Sequence, residues 1–378
     1  MTKQLLRAAT ALPALAALSA AAPPKAVSET RYWMSAETVS GLTSGVGGGQ
    51  AKRLQLQLGS PQTIAAPSAE HLPPATLKAG ASLPLTTPRI EKVAGWQADG
   101  TRPEAMPKTR MLLYWGCGEK AGPGQPMVLE FGTPAAAKVM ASLTPAVAMM
   151  NMPNARSSAT YGEWPNSEGR TTVPASGSLV GDHLVRGNYS PDIRFSLTAA
   201  NDFLAPLAPR SSKLPSGAMQ IDWASIPNAR AYMASVMGAK QDGTMLLWSS
   251  SAVKLASMLM PDYLAQGDIT RLVASKVLMA PDTTRCAVPS EVVQATEGAA
   301  LQMTAFGPEA NFHSPPGQRA WAAKLRSKST HMGMLGMSAD LGGLDMRGEQ
   351  PPAQQNGQRP SRKRQLLRGL GSVLGVPR

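Results

Sequence analysis

Met219–Ser251 reads MQIDWASIPNARAYMASVMGAKQDGTMLLWSSS. Three short apolar-rich runs are separated by turn chemistry, the pattern of consecutive strands rather than of a long helix. The rest of the chain follows the same habit. Gly and Pro make up 68 of 378 residues, and charged residues only 16%. Such a composition favours many turns and β-sandwiches over an α/β enzyme core.

Upstream, residues 28–42 read as a strand, and Arg53–Leu58 (RLQLQL) is the cleanest period-two stretch of the chain. Its leucines share one face and its Arg and Gln residues the other. The two segments are expected to pair as a hairpin across Gly45–Gly49. A second hairpin is expected from Arg110–Cys117 and Met127–Phe131, and further strands over Leu77–Leu85, Ser178–Arg186 and Ile193–Leu197. Thr133-Pro134 predicts the start of a helix that Pro145 stops. Downstream of the opening stretch, Asp268–Met279 fits a short helix capped by Asp268, with a strand as the competing reading. Cys286–Val293 and Leu301–Phe306 read as strands.

Within the opening stretch, Ile221–Val236 has the pattern I-x-W-x-x-I-P-N-A-x-x-Y-x-x-x-V. It resembles the B and C strands of fibronectin type III and related immunoglobulin-like domains. The resemblance covers about 90 residues and implies a two-sheet core in which a Trp packs under a Tyr of the next strand. Trp223 and Tyr232 take those places, with Trp248 as a further core residue. The late-strand Tyr motif of that family is missing, with Phe306 the nearest substitute, and 252–280 is longer and more helical than the family carries. The resemblance implies no activity.

The expected fold class is therefore mainly β: two β-sandwich-like domains (immunoglobulin/fibronectin III-like), short helical insertions and a disordered C-terminal tail. The expected divisions are a signal peptide at 1–21, an N-terminal β-rich domain at 28–204, a Pro-rich linker at 205–215, the fibronectin III-like sandwich at 216–308 and the disordered basic tail at 315–378. The signal reading rests on Lys3 and Arg7, the apolar run Ala8–Leu18 and the small residues that follow. It implies export to the periplasm or surface of a bacterium. There Cys117 and Cys286 either form a disulfide that pins the two domains together or remain separate buried thiols.

Catalytic signatures are sparse. His71, His183, His313 and His331 show no metal-ligand spacing. Asp182 and His183 are adjacent, so on a strand they face opposite sides and cannot act as a pair. Glu119 and Glu130 flank the Gly122–Gly124 turn as two scattered carboxylates, and Gly47–Gly49 lack the following helix that phosphate cradling needs.

Two leads remain, both near the C-terminus. His331, Met332, Met334 and Met337 form a Met/His cluster resembling those of periplasmic copper handlers, with soft donors suited to Cu(I). The last 60 residues carry 11 Lys+Arg against 3 Asp+Glu. Arg362, Lys363, Arg364 and Arg368 accompany a stripe of Leu366, Leu367, Leu370, Val373 and Leu374. That is the design of a basic amphipathic segment for anionic lipid or envelope polysaccharide. Nucleic acid fits the charge but not the lack of aromatic residues in the tail. The expected function is an exported, non-enzymatic binding or structural protein of the cell envelope, needing no cofactor, attached through the tail and in contact with other envelope proteins. The alternatives are a Cu(I) binder using 331–337 and an unrecognised hydrolase.

Overall fold

The computed structural model describes residues 29–42, 49–88, 110–131, 133–148, 150–166, 173–296 and 298–336, all within one compact unit. The signal-like segment 1–21 and the tail residues Arg362–Leu374 lie outside the described residues, as does Met337. None of the described helices is long and apolar enough to cross a membrane.

The chain is mainly β, organised around one nine-stranded sheet. In chain order its strands are β1 (Thr30–Gly41), β2 (Gln50–Ser60), β5 (Arg110–Trp115), β6 (Met127–Glu130), β7 (Thr160–Trp164), β12 (Ala231–Ala239), β13 (Met245–Ser249), β15 (Ala299–His313) and β16 (Trp321–Met334). They lie side by side as β6-β5-β13-β12-β15-β16-β1-β2-β7. A four-stranded sheet is built from β3 (Ala69–Leu72), β4 (Leu83–Pro84), β8 (Gly181–Gly187) and β9 (Ser190–Leu197), in the order β4-β3-β8-β9. A three-stranded sheet, β10-β11-β14, holds β10 (Arg210–Lys213), β11 (Met219–Asp222) and β14 (Arg285–Val288).

Both smaller sheets cover the same face of the large one. Alternation along β1 and β2 turns Tyr32, Met34, Ala36, Leu54, Leu56 and Leu58 inward, where they meet Val185, Ile193 and Phe195 of the four-stranded sheet. At the other end Tyr232, Val236, Leu246 and Trp248 meet Met219, Ile221, Cys286 and Val288. Among the described residues three α-helices complete the fold: α1 (Pro134–Ser142), α2 (Gln266–Ala274) and α3 (Ser290–Gln294). The opposite face of the large sheet packs against α1 and its following turn through Val139, Met140 and Leu143. It packs against α2 through Ile269 and Leu272, next to Met233 and Phe306.

Both expected hairpins form, β1 with β2 and β5 with β6. The division at 205–215 does not separate two sheets. Leu207 in that segment is fully buried. Ser40 Oγ donates to its carbonyl at 2.5 Å, and its N–H donates to Ser329 Oγ at 3.1 Å. Arg210–Lys213 then continues as β10. The Pro-rich segment is thus fastened to β1 and β16 by their inward hydroxyls, which meet the carbonyl and N–H groups that Pro-rich backbone cannot pair in a ladder.

The expected disorder from residue 315 also fails for its first part. Trp321–Met334 is a strand inside the large sheet, parallel to β1 over twelve residue pairs, Thr30↔Trp321 to Gly41↔Met332, and antiparallel to β15. At the end of β1, Gly41 has φ +76° and backs onto the Met332 carbonyl and the His331 ring, where a Cβ would collide. Smaller corrections follow the same logic. Val288 ends β14, because Pro289 starts α3 at a point where the ladder would need an N–H. Asp268 lies in the first turn of α2, whose N-cap is Ala265. There Asp268 accepts the Ala148 N–H and pairs with Arg271.

Cys117 and Cys286 form a disulfide with Cα atoms 5.1 Å apart, closing 169 residues of chain. It ties the end of the β5 region to β14, so it joins the large sheet to the three-stranded one. On a chain-entropy view a loop of this length removes about 5 kcal/mol of unfolded-state freedom. Replacing both cysteines by serine should lower stability by roughly 2–5 kcal/mol, seen as a lower urea midpoint with the native circular dichroism spectrum retained. An unchanged midpoint would show that the bridge adds nothing.

Candidate functional site: a cationic layer on the central strands

The densest chemistry among the described residues lies on the helix-side face of β16 and β1. Period two along β16 puts Lys324, Arg326, Lys328 and Thr330 on that face, while Leu325, Ser327, Ser329 and His331 point to the other. The register sets Lys324 beside Trp33, Arg326 beside Ser35 and Lys328 beside Glu37. From the turn before α2, Tyr263 folds over the row.

The cations are held mainly by aromatic faces. The Arg326 guanidinium carbon lies 5.2 Å from the Trp33 ring centroid and 4.2 Å from that of Tyr263. Lys328 Nζ sits 4.8 Å over Tyr263, and Lys324 Nζ 5.5 Å over Trp33. Arg326 and Lys328 are nearly inaccessible, at 6% and 7% exposure. Charges so buried require partners. Lys328 has Asp262 at 3.1 Å and Glu37 at 3.3 Å, and Thr330 and Arg53 also meet Glu37. Lys324 contacts Glu309, which also accepts from Asn311 Nδ2 at 3.0 Å. Arg326 donates to Ser35 Oγ at 2.8 Å, and among the described residues it forms no ion pair with a carboxylate. Burial lowers the Arg326 pKa, opposed by Tyr263 and the surrounding carboxylates. The Tyr263 hydroxyl is pushed well above its usual range, chiefly by burial and next by Glu37. The layer is a set of cations clamped between rings and internal carboxylates, which stiffens the centre of the sheet.

A second polar cluster lies on the opposite face, between the large and four-stranded sheets. The Tyr32 hydroxyl is 2.7 Å from His71 Nδ1, His71 Nε2 is 3.1 Å from His183 Nδ1, and His183 Nε2 is 2.7 Å from the Leu179 carbonyl. Asp182 does point away from His183: it is exposed, while His183 is buried. Sequence reasoning missed the pairing of His71 with His183, which are 112 residues apart.

The expected site residues are distributed as follows. Trp223, Tyr232 and Trp248 are buried, with the Trp223 and Tyr232 rings 5.6 Å apart. The Tyr232 hydroxyl accepts from the Ile226 N–H at 2.8 Å, and Trp248 Nε1 donates to the Gly116 carbonyl at 2.9 Å. The described members of the Met/His cluster do not converge. His331 is buried, 3.0 Å from Ser40 Oγ, while Met332 and Met334 alternate onto the face away from it. Its pKa is lowered, first by burial.

On the outer face of the four-stranded sheet are two open hollows. One of about 450 Å³ is lined by Glu70, Ser82, Arg186 and Asn188, and one of about 410 Å³ by Leu72, Asp182, Leu184 and Arg194. Glu70 pairs with Arg186 at 2.8 Å, and hydrogen bonds from Ser82 and Arg186 hold its carboxyl below the usual range.

If the ring of Tyr263 carries the cationic layer, Tyr263→Ala should cost about 2–4 kcal/mol, while Tyr263→Phe should cost under about 1 kcal/mol. Urea unfolding of the two variants measures this, and equal losses would assign the role to the hydroxyl. No protein-family model and no curated protein matches this chain.

Proposed function

We propose that the protein is an exported, non-enzymatic component of the bacterial cell envelope, a rigid β scaffold held to an anionic surface by its C-terminal basic segment. The observation that carries this reading is the Cys117–Cys286 disulfide. Disulfides persist in oxidising compartments and are rare in a reducing cytosol. The bridge thus supports the export reading of the N-terminal residues.

A fibronectin III-like second half is part of the same proposal. In its support, β10-β11-β14 forms one sheet facing the run β13-β12-β15-β16 of the other. Trp223, following β11, packs against Tyr232 of β12 across the core between them. On this reading the half extends from β10 through β16, with α2 as an insertion between β13 and β14. Folds of this kind serve display and ligand binding alike. The outer face of the four-stranded sheet, with its Glu70–Arg186 pair and two hollows, supplies a polar surface for an envelope partner.

Attachment is assigned to Arg362, Lys363, Arg364 and Arg368 with the Leu366, Leu367, Leu370, Val373 and Leu374 stripe. Each cation near an anionic membrane contributes about 1 kcal/mol, screened by salt. The full chain should co-sediment with anionic vesicles at low salt and be released at high salt, and deletion of 359–378 should abolish binding. Unchanged binding by the truncated chain would remove the tail from the proposal.

A further inference from the structure

We propose that Tyr32, His71 and His183 form an acid-sensitive latch that holds the four-stranded sheet against the large sheet. Three strands of two sheets supply the members: Tyr32 from β1, His71 from β3 and His183 from β8. All three are buried, at 0%, 0% and 2% exposure. The rings stack as well as bond. Tyr32 lies 5.6 Å from His71, and His183 lies 5.0 Å from Phe195, which in turn lies 5.0 Å from Phe312 of β15.

The hydrogen-bond chain runs in one direction only. The Leu179 carbonyl can only accept, so His183 Nε2 carries a proton. Neutral His183 then presents Nδ1 as an acceptor, and His71 Nε2 must donate to it. That leaves His71 Nδ1 as an acceptor, satisfied by the Tyr32 hydroxyl. Every polar atom of the three side chains along this line is used, and both imidazoles are neutral. A proton added to either ring keeps the line bonded only if the Tyr32 hydroxyl turns to accept from His71 Nδ1–H, which takes the tyrosine proton from its acceptor and leaves a charge in the buried seam. Opening the Tyr32–His71 contact, the step of the line that crosses between the sheets, lets water reach the charged ring and frees β3 and β8 from β1.

The surroundings give little help to a charged ring. Phe195 of β9 packs on Tyr32 and His183, with Phe312 of β15 stacked behind it, and the Leu179 carbonyl closes the end of the line. Asp182, the neighbour of His183 on the exposed side, favours the protonated form but less than burial opposes it. His71 is lowered by burial and then by His183, and the Tyr32 hydroxyl is raised by burial, so it stays a donor. The folded pKa values of both histidines thus lie below the unfolded value of ~6.5. Above that pH the latch stability is fully present. As pH falls below it, the opened form binds more protons and the latch weakens. In an envelope protein this would couple external acidity to release of one sheet.

The test is hydrogen exchange of the full chain, compared at about pH 7.5 and pH 5 after correction for intrinsic rates. Amides of β3 and β8 should open more readily by about tenfold per pH unit below ~6.5 for each proton taken up. Amides of β11 and β12, behind the disulfide, should not follow. His331 is a third buried histidine, but it bonds Ser40 of β1. Its protonation would loosen β1 from β16 instead of β3 and β8 from β1. A second variant, His71→Gln with His183→Gln, removes both titrations and should flatten the acid dependence of β3 and β8. Equal acid sensitivity in both halves, or none in the wild type, overturns the latch.

Discussion

The parallel pairing of β1 with β16 is the constraint from which the rest of the architecture follows. Twelve residue pairs join a strand near the start of the chain to one near its end. Without β1, β16 would be the edge of β13-β12-β15-β16 and would present a row of open backbone donors and acceptors. The other edge, β13, is closed in the same way by parallel β5. The N-terminal half therefore caps both sides of the sheet that the C-terminal half begins. Parallel neighbours cannot be joined by a tight turn, so both pairings require long-range closure. This explains why 205–215 cannot behave as a hinge: the strands on either side of it are already zipped together.

That pairing also decides where charge is buried. β16 carries Lys324, Arg326 and Lys328 into the middle of a nine-stranded sheet, a place where exposed cations would be destabilising. Compensation comes from groups that β1 and the α2 turn bring over the row, namely Trp33, Glu37, Asp262 and Tyr263. Aromatic faces suit this task because they attract a cation without having to be desolvated as ions themselves. The buried pairs specify register as much as they stabilise: sliding β16 by one residue would turn Leu325 to the helix side and the cations into the apolar seam.

How much of this was legible in the sequence varied with distance along the chain. Local periodicity sufficed for Arg53–Leu58, whose leucines are buried as their alternation requires. For Trp223 and Tyr232 the resemblance of Ile221–Val236 to fibronectin III strands implied the contact, and the two rings do pack directly. β16 escaped because its period two is written in charged and small residues, AAKLRSKSTHM, which read as polar when their neutralisers are unknown. Those neutralisers lie up to 291 residues away, as Glu37 does from Lys328. His71 and His183 escaped for the same reason. Each looks isolated until two strands place them 3.1 Å apart. The signal that was available is parity: His183 has the same phase as Val185, and His71 as Ala69, so both belong to inward positions.

The two buried polar systems differ in what they make the sheet respond to. The cationic layer depends on aromatic faces and ion pairs set around a guanidinium and two ammoniums. The Tyr–His–His line depends on two imidazoles held neutral by burial, which take up protons more readily once the line opens. One face of β1 therefore serves the cationic layer through Trp33, Ser35 and Glu37, and the other serves the histidine line through Tyr32. Because successive residues of one strand serve both, the large sheet can keep its register while the four-stranded sheet lets go. Rigidity on one side and release on the other is the division of labour that a single alternating strand makes available.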